Sequence, residues 1–122
     1  MINHKTVEDY LLSLPNTNRE YPFGEGVAVY KVTISTKSEP AAVPQINKKM
    51  FALIPEGKTP VNLSLKCDPQ LALVLREKYE TVLEGYHLNK KHWNTLILSG
   101  QLGWEEVQDL IRLSYRLVTL SK

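Results

Sequence analysis

Residues 61–69 read VNLSLKCDP, and this stretch decides the fold class because it passes from a strand pattern directly into a helix start. Apolar residues alternate with polar ones as far as Lys66, which predicts a strand with one face in water. Asp68 favours a helix N-cap, and Pro69 suits the first helical position because its missing N–H would be unpaired there anyway. The stretch therefore predicts a fold that combines helices and strands.

The segments on either side extend this pattern in both directions. A short helix before Pro15, with Thr6 and Asp9 resembling a capping box, precedes a connection over residues 16–26. Two strand patterns follow before residue 61, and a helix, a strand and a last helix follow after Pro69. The predicted order is α-β-β-β-α-β-α, with strands from 27, over 48–54, 61–66 and 93–98 and helices near 7–14, 69–79 and from 103. Such an order predicts an α+β fold in which helices pack on one face of an antiparallel sheet.

Residues 33–46 interrupt this order. The stretch contains Pro40 and Pro44 among Ser, Thr and Lys residues and shows neither a helical nor a strand period. Prolines without periodic apolar residues are typical of exposed loops. We therefore predict a loop over these residues, inserted into a single domain that spans residues 1–122.

The composition excludes several classes of protein. The chain has 122 residues, 43% of them hydrophobic and 23% charged, which is close to the average of globular domains. No window has the length of about 18 apolar residues that a membrane helix needs. Cys67 is the single cysteine and the first residues carry no apolar signal segment, so we expect a cytoplasmic protein without disulfides and without membrane association.

The net charge of +2 is small, but its distribution is uneven. Residues 46–95 hold eight basic and five acidic residues, whereas the segments before and after them are nearly neutral. Proteins that bind nucleic acid mainly by charge usually have a stronger bias than this. The sequence therefore indicates a modest basic region in the middle of the chain.

Motifs for catalysis are absent from the sequence. It contains no nucleophile elbow, phosphate-binding loop, dinucleotide fingerprint or zinc-ligand spacing. A metal site built from Cys67, His87 and His92 stays open only as a three-dimensional possibility, since their spacing matches no ligand motif. We expect no catalytic residue, no metal and no cofactor, and hence a protein that is not an enzyme.

Residues 86–95, YHLNKKHWNT, combine two lysines, two histidines, two asparagines and two aromatic residues without an acid. Lysines contact phosphates, aromatic rings stack on bases and asparagine amides bond to base edges, so the segment contains the residue types that nucleic-acid binding uses. The alternative is a polar turn that leads into a strand, with Trp93 or Tyr86 anchored in the core. Composition alone favours the polar turn, since basic patches without a known fold are common.

The same segment, extended to Gly85, resembles the hallmark of the MmcQ/YjbR family of small bacterial proteins. The stretches YPFGE, KMFALI, NLSLKCDP, LSG and LSYRLV, at residues 21–25, 49–54, 62–69, 98–100 and 113–118, resemble further signatures in the family's order. The resemblance implies a double-wing fold similar to the CyaY-like (frataxin) architecture. It also implies DNA as a partner, because the family is generally labelled DNA-binding.

Carried over residue by residue, the resemblance assigns candidate DNA contacts and structural positions. Trp93 and Tyr86 are the expected structural residues of the hallmark, and Asn89 is alternatively a cap for the turn around Lys90. The loop at 33–46 departs from the family pattern, and a protein-interaction module that uses the sheet or this loop is the alternative function. The candidate nucleic-acid-binding residues are Lys48, Lys49, Lys66, His87, Asn89, Lys90, Lys91, His92 and Asn94.

Overall fold

The computed structural model describes residues 1–36, 45–85 and 88–120. Within these residues the strands form one sheet in the order β1-β2-β3-β4-β6-β5, and every neighbouring pair is antiparallel. This confirms the predicted α+β class. The elements are α1 (His4–Ser13), β1 (Thr17–Glu20), β2 (Val27–Thr36), β3 (Gln45–Pro55), β4 (Asn62–Lys66), α2 (Pro69–Lys78), β5 (Val82–Glu84), β6 (Trp93–Ile97) and α3 (Trp104–Leu120).

The two outermost strands, β1 and β5, are absent from the predicted order. They have four and three residues, too few for an alternating pattern, and β1 reads TNRE without an apolar residue. Each is held by its neighbour, as in the pairing of Thr17 with Val32 and of Val82 with Leu96. Such edge strands are specified by the backbone of the adjacent strand, which the local sequence does not reveal.

The predicted loop at 33–46 is wrong at both of its ends. β2 continues to Thr36 and β3 begins at Gln45, and the two strands remain paired as far as these residues. Hydrogen bonds between β2 and β3 therefore extend into both ends of the segment for which the local sequence predicted a loop. The remaining part, residues 37–44, lies outside the described residues.

The start of α1 also differs from the prediction. Asn3 is its N-cap, and the side-chain oxygen of Asn3 accepts a hydrogen bond from the Thr6 N–H at 2.8 Å. Asparagine is among the best N-caps because its short side chain reaches the free amides of the first turn. The resemblance of Thr6 and Asp9 to a capping box is therefore not used by the helix.

The main core lies between the helices and one face of the sheet. α3 packs on β2, β3 and β4, whereas α2 packs on β5 and β6. Ser114 of α3 is fully buried, and its hydroxyl donates to the Phe51 carbonyl at 2.7 Å and accepts from the Lys66 N–H at 3.0 Å. This hydroxyl fastens α3 to two adjacent strands, because a buried polar group is stable only when it is hydrogen-bonded.

The opposite face of the sheet carries a smaller apolar cluster. Val29, Leu53 and Trp93 are buried there, with Met50 and Leu88 packed against them. Beside the cluster, the buried hydroxyls of Ser64 and Thr95 share a hydrogen bond at 2.8 Å. The prediction that the polar face of β4 is in water is therefore wrong at Ser64.

Candidate nucleic-acid interface

The described residues of the hallmark form a tight turn followed by β6. The Asn89 side-chain oxygen accepts a hydrogen bond from the Lys91 N–H at 2.9 Å, and the Asn89 carbonyl accepts from the His92 N–H at 3.2 Å. Asparagine commonly stabilises turns in this way, because its side chain bonds to the backbone two residues further along. Asn89 therefore caps the turn, while Tyr86 and His87 lie outside the described residues.

Trp93 joins this turn to the sheet. The side chain is 6% exposed and packs with Val29 and Leu53. Gly85 lies so close that a Cβ atom on it would stand 2.6 Å from the Trp93 Cβ, and the Gly85 N–H donates to the Trp93 carbonyl at 2.9 Å. The indole is thus a structural anchor, and Gly85 is required by the close approach of the two backbones.

Asn94 is buried at 1% exposure, and both ends of its amide are used inside the protein. Its oxygen accepts from the Arg76 Nε at 2.8 Å and its nitrogen donates to the Ala72 carbonyl at 3.2 Å. At 1% exposure this amide is out of reach of a base edge or a phosphate. The structure therefore removes Asn94 from the candidate DNA contacts and makes it a link between β6 and α2.

Arg76 ties the turn to α2. Besides Asn94, its guanidinium donates to the Lys90 carbonyl at 2.5 Å through Nη2 and lies 3.7 Å from Glu84 through Nη1. Lys90 lies 3.5 Å from the same carboxylate, and its side chain is 73% exposed. An ion pair this exposed is weak, so the Lys90 ammonium is able to exchange Glu84 for another anion.

A depression lies between the turn and α2, with a volume of about 310 Å³. Three cationic side chains, those of Arg76, Lys90 and Lys91, line it together with Leu73 and the start of α2. Within the described part of the chain, Lys91 has no carboxylate partner. The depression is therefore a place where positive charge gathers within reach of solvent.

The three other candidate lysines lie at the same end of the sheet as this turn. Lys66 ends β4 and pairs in register with Trp93, while Lys48 and Lys49 lie near the start of β3. Lys48 and Lys49 are successive strand residues, so their side chains point to opposite faces. Lys48 is also bound to Glu20 at 2.8 Å. The lysines thus share one end of the sheet without forming a single basic face.

Sequence reasoning missed Arg76 and Glu84 as parts of this site. Arg76 stands in the last turn of α2 and Glu84 ends β5, eight residues later, and no local pattern connects them. They meet because α2 packs on β5 and β6. The neighbouring His92 is half-buried, and its carbonyl accepts from the Cys67 N–H at 2.7 Å.

Two other groups bear on metal binding and reactivity. Burial raises the pKa of the Cys67 thiol to about 11, which keeps it protonated and unreactive near neutral pH. Potential ligand atoms of His4, Glu8 and Glu56 lie within 4.8 Å of one another. The Glu8 carboxylate already accepts a hydrogen bond from the Tyr30 hydroxyl at 2.6 Å and forms an ion pair with Arg19 at 2.8 Å. Burial alone would raise the pKa of the Glu8 carboxyl, but the bonds from Tyr30 and Arg19 have the larger effect and lower this pKa. His4, Glu8 and Glu56 are therefore part of an ion-pair network.

Searches against known proteins agree with the sequence motifs. The YjbR family model matches residues 12–117. YbdF of Escherichia coli O157:H7 is 31% identical over 94% of this chain and 83% of its own length. YjbR of Escherichia coli K12 is 35% identical over 59% of this chain and 61% of its own length, so the match to that relative covers under two thirds of it. YyaQ of Bacillus subtilis is 35% identical over 58% of this chain and 68% of its own length.

Solved structures give the same result. The DUF419 domain of protein DR2400 from Deinococcus radiodurans superposes with a TM-score of 0.78 at 34% identity, covering 93% of this chain and 76% of that one. A crystal structure from Pseudomonas syringae superposes with a TM-score of 0.72 at 29% identity, covering 95% and 98%. Among the described residues, no helix has both the length and the apolar character needed to cross a membrane. On the family match and these relatives together, the chain belongs to the YjbR family.

Proposed function

We propose that the protein binds DNA through the phosphate backbone and catalyses no reaction. The observation that carries this proposal is the depression lined by Arg76, Lys90 and Lys91. Lysine and arginine neutralise phosphates, and this contact supplies most of the affinity in binding that does not depend on sequence. Because the Asn94 amide is buried, the proposed contacts come mainly from lysine and arginine side chains on phosphates, so we expect little sequence preference.

The position of the lysines supports an interface at this end of the sheet. Lys90 and Lys91 are exposed on the turn, and Lys66 lies at the end of the strand that pairs with β6. A duplex resting on the turn would meet Lys90 and Lys91 first and Arg76 behind them. Glu84 offsets part of the charge, which agrees with modest affinity that falls steeply as salt increases.

The test is the binding of a short labelled duplex, measured by fluorescence anisotropy between about 50 and 200 mM salt. The double variant Lys90→Glu with Lys91→Glu is expected to bind at least tenfold more weakly. Its slope of log affinity against log salt should be smaller by about two units, because each lysine neutralises one phosphate. Both side chains are exposed, so the thermal stability of the variant should stay close to that of the parent protein.

The matched control is Lys5→Glu with Lys58→Glu, which changes the net charge equally at exposed positions on α1 and in the turn after β3. The control is expected to retain most of the affinity. Equal losses in the two double variants would contradict a defined interface at the turn. Absence of duplex binding by the parent protein at low salt would contradict DNA binding itself.

A second candidate function is a protein-interaction module. Leu73 and Val74 are adjacent on α2 and are 58% and 56% exposed. Neighbouring exposed apolar side chains are typical of contact surfaces between proteins. This function predicts binding to a protein partner with little salt dependence, which Leu73→Ser weakens and Lys91→Glu leaves unchanged.

A further inference from the structure

A second cavity lies on the other side of α2, between α2 and α3. It has a volume of about 390 Å³, which is within the usual range of about 300–1,000 Å³ for small-molecule sites. The residues of α2 that face it, Leu71 and Leu75, differ from those that face the cationic depression, such as Leu73 and Arg76. The cavity, here called the α2–α3 cleft, shares no lining residue with the depression of Arg76, Lys90 and Lys91, although Lys66, a candidate DNA contact, lines it.

The cleft exists because the two helices rest on different strands. α2 packs on β5 and β6, whereas α3 packs on β2, β3 and β4. At one end the Tyr79 hydroxyl, just after α2, donates to the Glu106 carboxylate near the start of α3 at 2.7 Å. Beyond this bond, side chains of the two helices and of β4 and β6 line a cavity that opens to solvent.

Eight of the thirteen residues given for the lining of the cleft are leucines. Four leucines of α3 line it from Leu110 to Leu120, over a helix length of about 15 Å at about 1.5 Å per residue. Leu113 and Leu120 are 46% and 75% exposed. Leucine side chains left in water at an open cavity favour the binding of an apolar chain of similar length.

Charge at the edge of the cleft selects the polar end of such a ligand. Two cationic residues line the cleft, Lys66 and Arg116, and Arg116 is the more exposed of the two. Arg116 has no carboxylate partner within the described residues. Asp68 also lines it, but its carboxylate accepts the N–H groups of Gln70 and Leu71 and caps α2. An unpaired guanidinium beside an apolar wall is complementary to a carboxylate on an aliphatic tail, since guanidinium binds carboxylate in a planar, bidentate manner.

We propose that the α2–α3 cleft binds a linear aliphatic carboxylate, with its tail along the leucines of α3 and its carboxylate on Arg116. The site extends beyond the proposed DNA interface and does not depend on it. The probe is monomeric laurate, with methyl laurate as the uncharged analogue, and binding is followed by isothermal titration calorimetry and by leucine methyl shifts in NMR spectra. The parent protein is expected to bind laurate more tightly than its methyl ester.

Arg116→Gln is expected to weaken laurate binding about tenfold, the effect of losing a charged hydrogen bond, and to abolish the preference over methyl laurate. Arg112→Gln is the matched control, because Arg112 lies on the same helix but contacts Tyr10 and Asp109. Leu117→Trp fills the cleft and should abolish binding of both probes. Thermal unfolding of every variant verifies that it is folded.

Three outcomes would overturn the proposal. One is the absence of laurate binding or of leucine methyl shifts in the parent protein. Another is an equal loss of affinity in Arg116→Gln and Arg112→Gln. The third is a dimer in solution that Leu113→Glu dissociates while laurate has no effect, since a second copy of the chain would then be the occupant of the cleft.

Discussion

Two asparagines of the hallmark, Asn89 and Asn94, lie five residues apart and show how differently the same residue type is used. Asn89 is exposed and caps a turn, whereas Asn94 is buried and links Arg76 to the Ala72 carbonyl. The turn around Asn89 presents Lys90 and Lys91 to solvent, and the strand that starts at Trp93 lies against other strands. Polarity in a sequence motif therefore does not distinguish a binding surface from a satisfied interior.

The difference follows from where β6 begins. From Trp93 onwards each residue pairs with β4, so side chains alternate between the two faces of a covered sheet. Before Trp93 the backbone turns on its own hydrogen bonds, and the side chains of Asn89, Lys90 and Lys91 are exposed. Substitutions in the two halves should therefore have unequal effects on stability, which the following variants measure.

The largest effect is expected for Trp93→Ala. Removing a buried indole loses its transfer free energy and leaves a cavity beside Val29 and Leu53, which costs about 3–5 kcal/mol. The free energy of unfolding is measured by urea denaturation. Trp104→Ala, at a half-buried tryptophan in edge-to-face contact with Tyr10, serves for comparison and should cost less. A loss of under 1 kcal/mol at Trp93 would contradict its role as an anchor.

Asn94→Ala should have the next largest effect. The substitution leaves the Arg76 Nε and the Ala72 carbonyl without their partner in a buried setting, at a cost of about 2–3 kcal/mol. The same urea experiment measures it. Full stability together with weakened DNA binding would reverse our assignment and return Asn94 to the interface.

Gly85→Ala should destabilise the protein by about 1–2 kcal/mol, because the new methyl group would overlap the Trp93 Cβ and force the backbones apart. Gly26→Ala is the control, since a Cβ there has no heavy atom within 4 Å. Differential scanning calorimetry should show a lower Tm for the first variant only. An unchanged Tm in both would indicate that the contact between residues 85 and 93 yields without cost.

The smallest effect is expected for Asn89→Ala, at about 0.5 kcal/mol, because the lost bond lies in an exposed turn where water replaces it. Asn89→Asp keeps the acceptor oxygen for the Lys91 N–H and should retain most of that stability. A loss at Asn89 as large as the loss at Asn94 would remove the distinction between the two halves. Chemical denaturation of Asn89→Ala, Asn89→Asp and Asn94→Ala under one set of conditions compares their free energies of unfolding.

Much of the fold was predictable because its central elements carry their own signals. Alternation over residues 61–66 and the cap at Asp68 predicted β4 and the start of α2. The edge strands β1 and β5 and the ends of β2 and β3 were not predictable, since pairing with a neighbour determines them. The prediction that one face of β4 is in water was wrong at Ser64, where the Thr95 hydroxyl is a buried hydrogen-bond partner.

For the candidate site, the sequence located the basic segment and its lysines, and the short-range chemistry of Asn89 was predictable as a turn cap. It did not separate exposed residues from buried ones, and it did not indicate Arg76, which reaches Asn94 and the Lys90 carbonyl only after α2 has packed on the sheet. Contacts between residues distant in the chain depend on packing, and no local pattern encodes them.

The sequence by itself determined the family, the α+β class and the region where positive charge is concentrated, because motifs, periodicity and charge are properties of the chain. Only the tertiary structure decided that Asn94 is a structural residue, that Arg76 joins Lys90 and Lys91 at one depression, and that a leucine-lined cleft separates α2 from α3. The physical reason is that burial and hydrogen-bond partners are set by how elements pack, and that packing brings together residues far apart in sequence.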